Sequence, residues 1–97
     1  MIGIFIEHFL NAAGRTYFPL WMQQIETVLS DFEGFISINQ LKDIENEGRT
    51  LLFLNFASLD ALHGWTNSDS HAQELAKLEK FMIRKQESRT FEVMGTQ

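Results

Sequence analysis

Two side chains in this sequence have the chemistry for moving protons near neutral pH. Glu7 alternates with Phe5 and Phe9 in an apolar segment, so a strand there places its carboxylate between two aromatic rings. An apolar setting disfavours the charged carboxylate and raises its pKa toward a useful value. His71 titrates near neutral pH without any perturbation. Together, Glu7 and His71 predict general acid–base catalysis.

Both residues also have a structural interpretation that the sequence leaves open. Glu7 is compatible with a salt bridge or with a solvated position at the rim of a sheet. His71 follows Ser68-Asp69-Ser70, so it is also placed to bond the start of a helix. For His8 we predict a structural role, on the side of the sheet that faces a dimer partner, and for His63 an exposed position.

Four further residues are candidates for contacts with a ligand. Trp65 can wall a slot and donate one hydrogen bond from its indole N–H, although a core position explains it equally well. Trp21 falls on a helical apolar stripe, which favours core packing. Asn39 and Asn55 are amides in otherwise apolar strands. A buried amide needs hydrogen bonds, and neighbouring residues are the favoured partners over a ligand.

The composition excludes several other classes of function. The 97-residue chain has no cysteine, which removes disulfide, zinc-thiolate, iron–sulfur and thiol-nucleophile chemistry, and no cofactor or metal is predicted. A net charge of −5 argues against nucleic acid as a partner. No apolar run reaches the roughly 20 residues of a membrane helix. Residues 1–6 lack a basic flank and do not resemble a signal peptide, so we expect a cytoplasmic protein.

The hydrophobic pattern divides the chain into four strands and three helices. The strands are predicted at 2–10, 35–43, 50–56 and 89–94. The helices are predicted at 16–31, from 58 toward 65, and from 67 or 68 to about 81, with Phe81 and Met82 on the last apolar stripe. Residues 11–14 are predicted to form a turn, and Pro19 to lie in the first turn of its helix. Gly34 is predicted to stop this helix.

This order of elements predicts an α+β fold of the ferredoxin-like βαββαβ type. Such a fold has a four-stranded antiparallel sheet with helices on one face, and we expect it to form one domain over residues 1–97. The first strand is apolar on both of its faces, so the face without helices needs a second cover. The simplest cover is another copy of the chain, which predicts a homodimer through the open sheet face.

One segment carries a family resemblance. Residues 53–71 combine a strand ending at Phe56 with Ser58, Trp65, Ser68 and His71, and Glu-Gly-Phe at 33–35 precedes the second strand. This pattern resembles the antibiotic biosynthesis monooxygenase family of the dimeric α+β barrel superfamily. The resemblance implies that two sheets pair into a barrel. It also implies chemistry of the kind found in the family, whose members include cofactor-independent oxygenases of polycyclic phenols and quinols.

The resemblance suggests a cofactor-independent monooxygenase acting on an aromatic, phenolic or quinol-type small molecule. In that hypothesis Glu7 and His71 handle protons and Trp65 lines the slot. The alternative is a non-catalytic barrel that binds a small molecule or serves as a stress-related dimer. Haem degradation is less favoured, because the place of the family's axial histidine falls at Glu74 or Leu75.

Overall fold

Residues 1–95, which the computed structural model describes, form four strands and three helices. The strands are β1 (Ile2–Leu10), β2 (Phe35–Leu41), β3 (Thr50–Phe56) and β4 (Met82–Glu92), and the helices are α1 (Ala12–Leu29), α2 (Leu59–Thr66) and α3 (Asp69–Glu79). The sheet has the order β2-β3-β1-β4, and each neighbouring pair of strands is antiparallel. The ferredoxin-like α+β fold predicted from the sequence is thereby confirmed.

The helices pack on the sheet face that carries the even-numbered residues of β1. Ile2, Ile4 and Leu10 belong to one core cluster with Phe18 and Trp21 of α1. Alternation along a strand sends the odd-numbered residues to the opposite face. We call this second surface the open sheet face; it carries Phe5, Glu7 and Phe9 of β1, Leu51, Phe53 and Asn55 of β3, and Phe91 of β4.

Side-chain caps set the starts of all three helices in the described part of the chain. Ser58 and Ser68 accept hydrogen bonds from the backbone N–H groups of Ala61 and His71, each at 3.1 Å. Asn11 accepts one from Gly14 at 2.8 Å. The predicted turn at 11–14 is therefore wrong, because this cap begins α1 four residues earlier than the pattern suggested.

Pro19 lies well inside α1 rather than in its first turn, so this prediction is also wrong. The earlier start of the helix is the cause. Proline in a helix interior removes one backbone hydrogen bond. The helix continues across it because Phe18 and Trp21, both almost completely buried, hold this stretch against the sheet.

Strand β4 begins at Met82, seven residues before the predicted start at 89. Residues 82–88 carry four charged or amide side chains and lack the alternation that signals a half-buried strand. Pairing with β1 decides their conformation, since the register runs from Leu10 opposite Met82 to Ile2 opposite Glu92. The interpretation of Met82 as part of a helical stripe is wrong for the same reason.

Within residues 1–95, none of the helices is long and apolar enough to cross a membrane. The longest, α1, has 18 residues and carries polar side chains along its exposed side.

Candidate functional site

A cavity of about 250 Å³ lies between the sheet and the helices. We call it the helix-side cavity. Its walls are formed by Ile4, Ile6, His8, Trp21, Ile25, Leu52, Leu54, Phe56, Leu62, Trp65, Thr66, His71, Leu75, Gln86, Ser88 and Thr90. Aliphatic and aromatic side chains make up most of this set, and it contains no aspartate, glutamate, lysine or arginine. The cavity is therefore suited to an apolar molecule with few polar substituents.

His8 is the most deeply buried polar residue of the cavity wall, with 3% of its surface exposed. The rings of Phe18 and Trp21 lie against its imidazole, each with a centroid distance of 5.5 Å. Neither ring nitrogen has a hydrogen-bond partner among the described residues. Burial lowers the pKa of His8 to about 4, so the imidazole is neutral at pH 7.

The prediction that His8 faces a dimer partner is wrong. His8 shares a strand face with Ile4 and Ile6, and α1 covers that face. Alternation correctly groups the three residues, but it does not say which face of the sheet the helices cover.

His71 lies in the first turn of α3 and lines the same cavity. Its ring meets the indole of Trp65 edge to face, with centroids 5.2 Å apart and an interplanar angle of 84°. Burial lowers the pKa of His71 as well. The capping group of α3 is the hydroxyl of Ser68, so the imidazole of His71 is not needed to start the helix.

Both tryptophans form part of the cavity wall. Trp21 donates a hydrogen bond from Nε1 to the backbone carbonyl of Glu74 at 2.8 Å, which fixes α1 against α3. Trp65 packs between His71 and Phe32, whose ring centroid is 5.0 Å away. The indole N–H of Trp65 makes no side-chain hydrogen bond within the part of the chain that the structure describes.

Glu7 lies on the open sheet face, away from the helix-side cavity. Arg49 donates two hydrogen bonds to its carboxylate, at 2.7 and 3.0 Å, and a third to Asp43 at 2.9 Å. The arginine holds the pKa of Glu7 below its ordinary value, opposite to the rise that its aromatic neighbours predict. A bidentate guanidinium outweighs the apolar surroundings, so the salt-bridge interpretation of Glu7 is correct.

The two asparagines also lie outside the cavity. Asn55 donates from Nδ2 to the hydroxyl of Ser37 at 3.0 Å, so a neighbour provides its partner. Asn39 is exposed and pairs in register with Phe53 on the open sheet face. Of the six predicted site residues, the structure brings together Trp21, Trp65 and His71, and it separates Glu7, Asn39 and Asn55 from them.

The arrangement has counterparts among known proteins. The sequence model of the antibiotic biosynthesis monooxygenase family matches residues 5–77. The chain belongs to the antibiotic biosynthesis monooxygenase family. No curated protein is similar enough to this chain to count as a match.

Several solved structures share the fold of this family member, although their sequence identity to it is low. Rv0793 from Mycobacterium tuberculosis is 14% identical with a TM-score of 0.82, over 98% of this chain and 96% of that one. A conserved protein from Methanosarcina mazei is 13% identical with a TM-score of 0.81, over 93% and 89%. SnoaB, a cofactor-independent oxygenase from Streptomyces nogalater, is 13% identical with a TM-score of 0.78, over 98% and 95%.

Sequence reasoning missed five polar residues of the cavity in this family member. Three of them, Gln86, Ser88 and Thr90, line the cavity from β4, and most of that strand lies before the start predicted at 89. The fourth is Thr66, the last residue of α2, and the fifth is His8. The alternation along β1 places His8 on the same face as Ile4 and Ile6, and this pattern was the sequence signal that could have identified His8 as a cavity residue.

Among the described residues, no group of three or more histidine, cysteine, aspartate or glutamate side chains is close enough to hold a metal ion. At the predicted place of the haem-binding histidine, Leu75 lines the cavity, and the carboxylate of Glu74 pairs with Lys77 at 2.8 Å.

Proposed function

We propose that this chain is a cofactor-independent monooxygenase that oxidises a small phenolic or quinol-type aromatic compound in the helix-side cavity. The observation that carries the proposal is an apolar cavity without formal charge whose wall contains two neutral imidazoles, His8 and His71. Membership of the family and the shared fold with SnoaB support the same class of reaction.

The cavity favours a compact, uncharged substrate. Its volume of about 250 Å³ lies just below the usual range of small-molecule pockets, which favours about one or two rings over a large polycyclic compound. Because no cationic side chain lines the walls, a carboxylate-bearing substrate would lose its hydration without gaining a counter-ion. The tryptophans offer flat surfaces against which an aromatic ring packs.

His71 is placed to take the proton that starts the reaction. It is half-buried, so it contacts the cavity and still passes a proton on to solvent. Its lowered pKa keeps the imidazole in the accepting, neutral form at pH 7. The conjugate anion of an electron-rich phenol or of an acidic ring methylene then transfers an electron to dioxygen.

The overall reaction balances without a further reductant. A ring CH₂ group and O₂ give a ring C=O group and water. A 1,4-quinol and O₂ likewise give a hydroxy-1,4-quinone and water, so in both cases one oxygen atom enters the product and the other leaves as water. The substrate carbon supplies all the electrons. The imidazolium of His71 returns its proton to the departing oxygen, as expected of a general acid–base group. Glu7 has no part in this step, because it lies on the other face of the sheet.

The proposal is tested by oxygen uptake. Wild-type protein with a 1,4-naphthoquinol, which has two rings, is expected to consume oxygen well above the spontaneous rate in buffer. His71→Gln keeps a polar side chain but removes the base, and it is expected to lower kcat about 100-fold. His63→Gln changes an exposed histidine and serves as the control with wild-type activity. Wild-type uptake no faster than buffer, or a fully active H71Q protein, would show that the proposal is wrong.

A binding protein without catalysis is the second candidate function. The cavity wall contains no carboxylate and no other strong base, which is the observation that favours it. Tight binding of the same compounds without oxygen uptake would support this alternative.

We also propose that the protein forms a homodimer through the open sheet face. Phe5, Phe9, Phe53 and Phe91 lie on that face, and among residues 1–95 no helix packs on it. Large contiguous apolar surfaces of this kind mark interaction sites.

A further inference from the structure

The polar groups of the helix-side cavity are not equivalent. Thr66, Ser88 and Thr90 are exposed, and His71 and Gln86 are intermediate, so solvent reaches all five. His8 differs, because only 3% of its surface is exposed and both ring nitrogens lack partners in the described chain. The polar groups that line the cavity are therefore accessible to solvent, except for the buried imidazole of His8.

The surroundings of His8 do not supply the missing hydrogen bonds. Phe18 and Trp21 present rings to the imidazole, and the indole N–H of Trp21 is already bonded to the carbonyl of Glu74. Buried polar side chains in native proteins normally have partners, and an unpartnered one calls for an explanation. A neutral imidazole offers one N–H donor and one nitrogen acceptor.

We propose that His8 is a specificity-determining residue that selects aromatic ligands carrying a hydroxyl group. The hydroxyl bonds the His8 imidazole at the inner end of the cavity while the ring packs between aliphatic and tryptophan side chains. This inference rests on the helix-side cavity being the binding site, as in the proposed function, and names the substituent that the site recognises. An aromatic hydrocarbon of the same shape leaves the imidazole unpartnered and binds more weakly.

The inference is tested by comparing two probes that differ by one hydroxyl group. Binding of 1-naphthol and naphthalene is followed by quenching of the fluorescence of Trp21 and Trp65, which line the cavity, and is checked by calorimetry. The preference for 1-naphthol is expected to fall about tenfold from wild type to His8→Leu, which corresponds to the loss of one neutral hydrogen bond. Naphthalene itself is expected to bind His8→Leu at least as well as wild type.

Two further variants separate recognition from a general change in the fold. His8→Gln keeps a donor and an acceptor and is expected to retain part of the preference for 1-naphthol. His63→Leu removes an exposed histidine and is expected to retain all of it. Because the preference is a ratio for one protein, differences in the hydration of the two probes cancel between variants.

An unchanged preference in His8→Leu, or the absence of binding by both probes to wild type, would overturn the inference. Its failure is distinguishable from failure of the proposed function. If His8 controls the preference but oxygen uptake is absent, the oxygenase proposal is wrong and the inference stands. If oxygen uptake depends on His71 but the preference does not depend on His8, only the inference is wrong.

Discussion

His8 and Glu7 are neighbours in the sequence, yet their environments shift their titration for different reasons. The imidazole lies in an apolar cavity, where burial lowers its pKa to about 4. The carboxylate on the opposite face meets Arg49, which lowers its pKa by stabilising the charge. One step along a strand changes the face, and with it the interaction that dominates the pKa.

The buried imidazole makes stability depend on pH. Below about pH 6.5 the unfolded chain protonates His8, whereas the folded protein keeps it neutral down to about pH 4, so acid favours unfolding across this window. We expect the free energy of unfolding to fall by about 2 kcal/mol between pH 7 and pH 5 from this residue alone. Urea unfolding at the two pH values measures it.

His8→Leu provides the comparison for this pH effect. The variant is expected to lose about 2 kcal/mol less than wild type over the same interval. His71 acts in the same direction and remains in both proteins, and the pairs of Glu7 and Asp43 with Arg49 weaken only at lower pH. Equal losses in the two proteins would contradict the assignment of His8 as a buried neutral group.

Glu7 is expected to matter for stability and not for the cavity. Glu7→Gln removes a carboxylate that Arg49 bonds at 2.7 and 3.0 Å, and we expect a loss of about 1 kcal/mol, since the pair is only partly shielded from solvent. Binding of 1-naphthol is expected to stay within about twofold of wild type. Chemical unfolding measures the loss of stability, and titration with 1-naphthol measures the binding. A large loss of binding would mean that Glu7 contributes to the ligand site.

At the level of elements, the residue that precedes β2 has to be a glycine, Gly34. Its φ of +81° is in the left-handed region, and an added Cβ would overlap the Cβ of Ala61 in α2. Gly34→Ala is therefore expected to lower the free energy of unfolding by about 2 kcal/mol or more. Urea unfolding provides the measurement.

Gly64 is the matched control for this substitution. It lies inside α2, where an added Cβ meets no atom within 4 Å. Gly64→Ala is expected to stabilise the protein by about 0.5 to 1 kcal/mol, because alanine favours the helix. If the two variants lost stability equally, local strain at Gly34 would not be the cause.

The sequence pattern predicted β1 and β3 correctly but missed most of β4. The bounds of β1 and β3 agree with the sequence pattern, because both strands are strongly apolar and flanked by polar or turn residues. The helix starts predicted at 58 and at 67 or 68 were also observed, with Ser58 and Ser68 as the caps. Residues 84–88 are polar and form a strand through pairing with β1. Pairing with a strand that is distant in the sequence is not visible in the local hydrophobic pattern.

At the level of the whole molecule, we propose that the open sheet face is the interface of a homodimer. Phe91 is 47% exposed on that face, and Phe91→Glu is expected to convert a dimer into a monomer, since it places charges in an apolar interface. Sedimentation velocity distinguishes one chain of 11.3 kDa from an assembly of two. Ile44→Glu is the control, because Ile44 is 90% exposed outside the sheet and is expected to leave the dimer intact. A wild-type monomer at micromolar concentration would contradict the proposed dimer.

The order of elements, the two apolar faces of β1 and the family could all be predicted from the residues alone. Periodicity and capping residues are local properties that suffice for the elements, whereas the family prediction depended on the resemblance of residues 53–71. Which face of the sheet the helices cover was set by tertiary packing. That choice put His8 into the cavity and Glu7 outside it, and it brought three polar residues of β4 to the cavity wall. The physical reason is that alternation groups residues by face, whereas packing of distant elements selects the face that becomes the site.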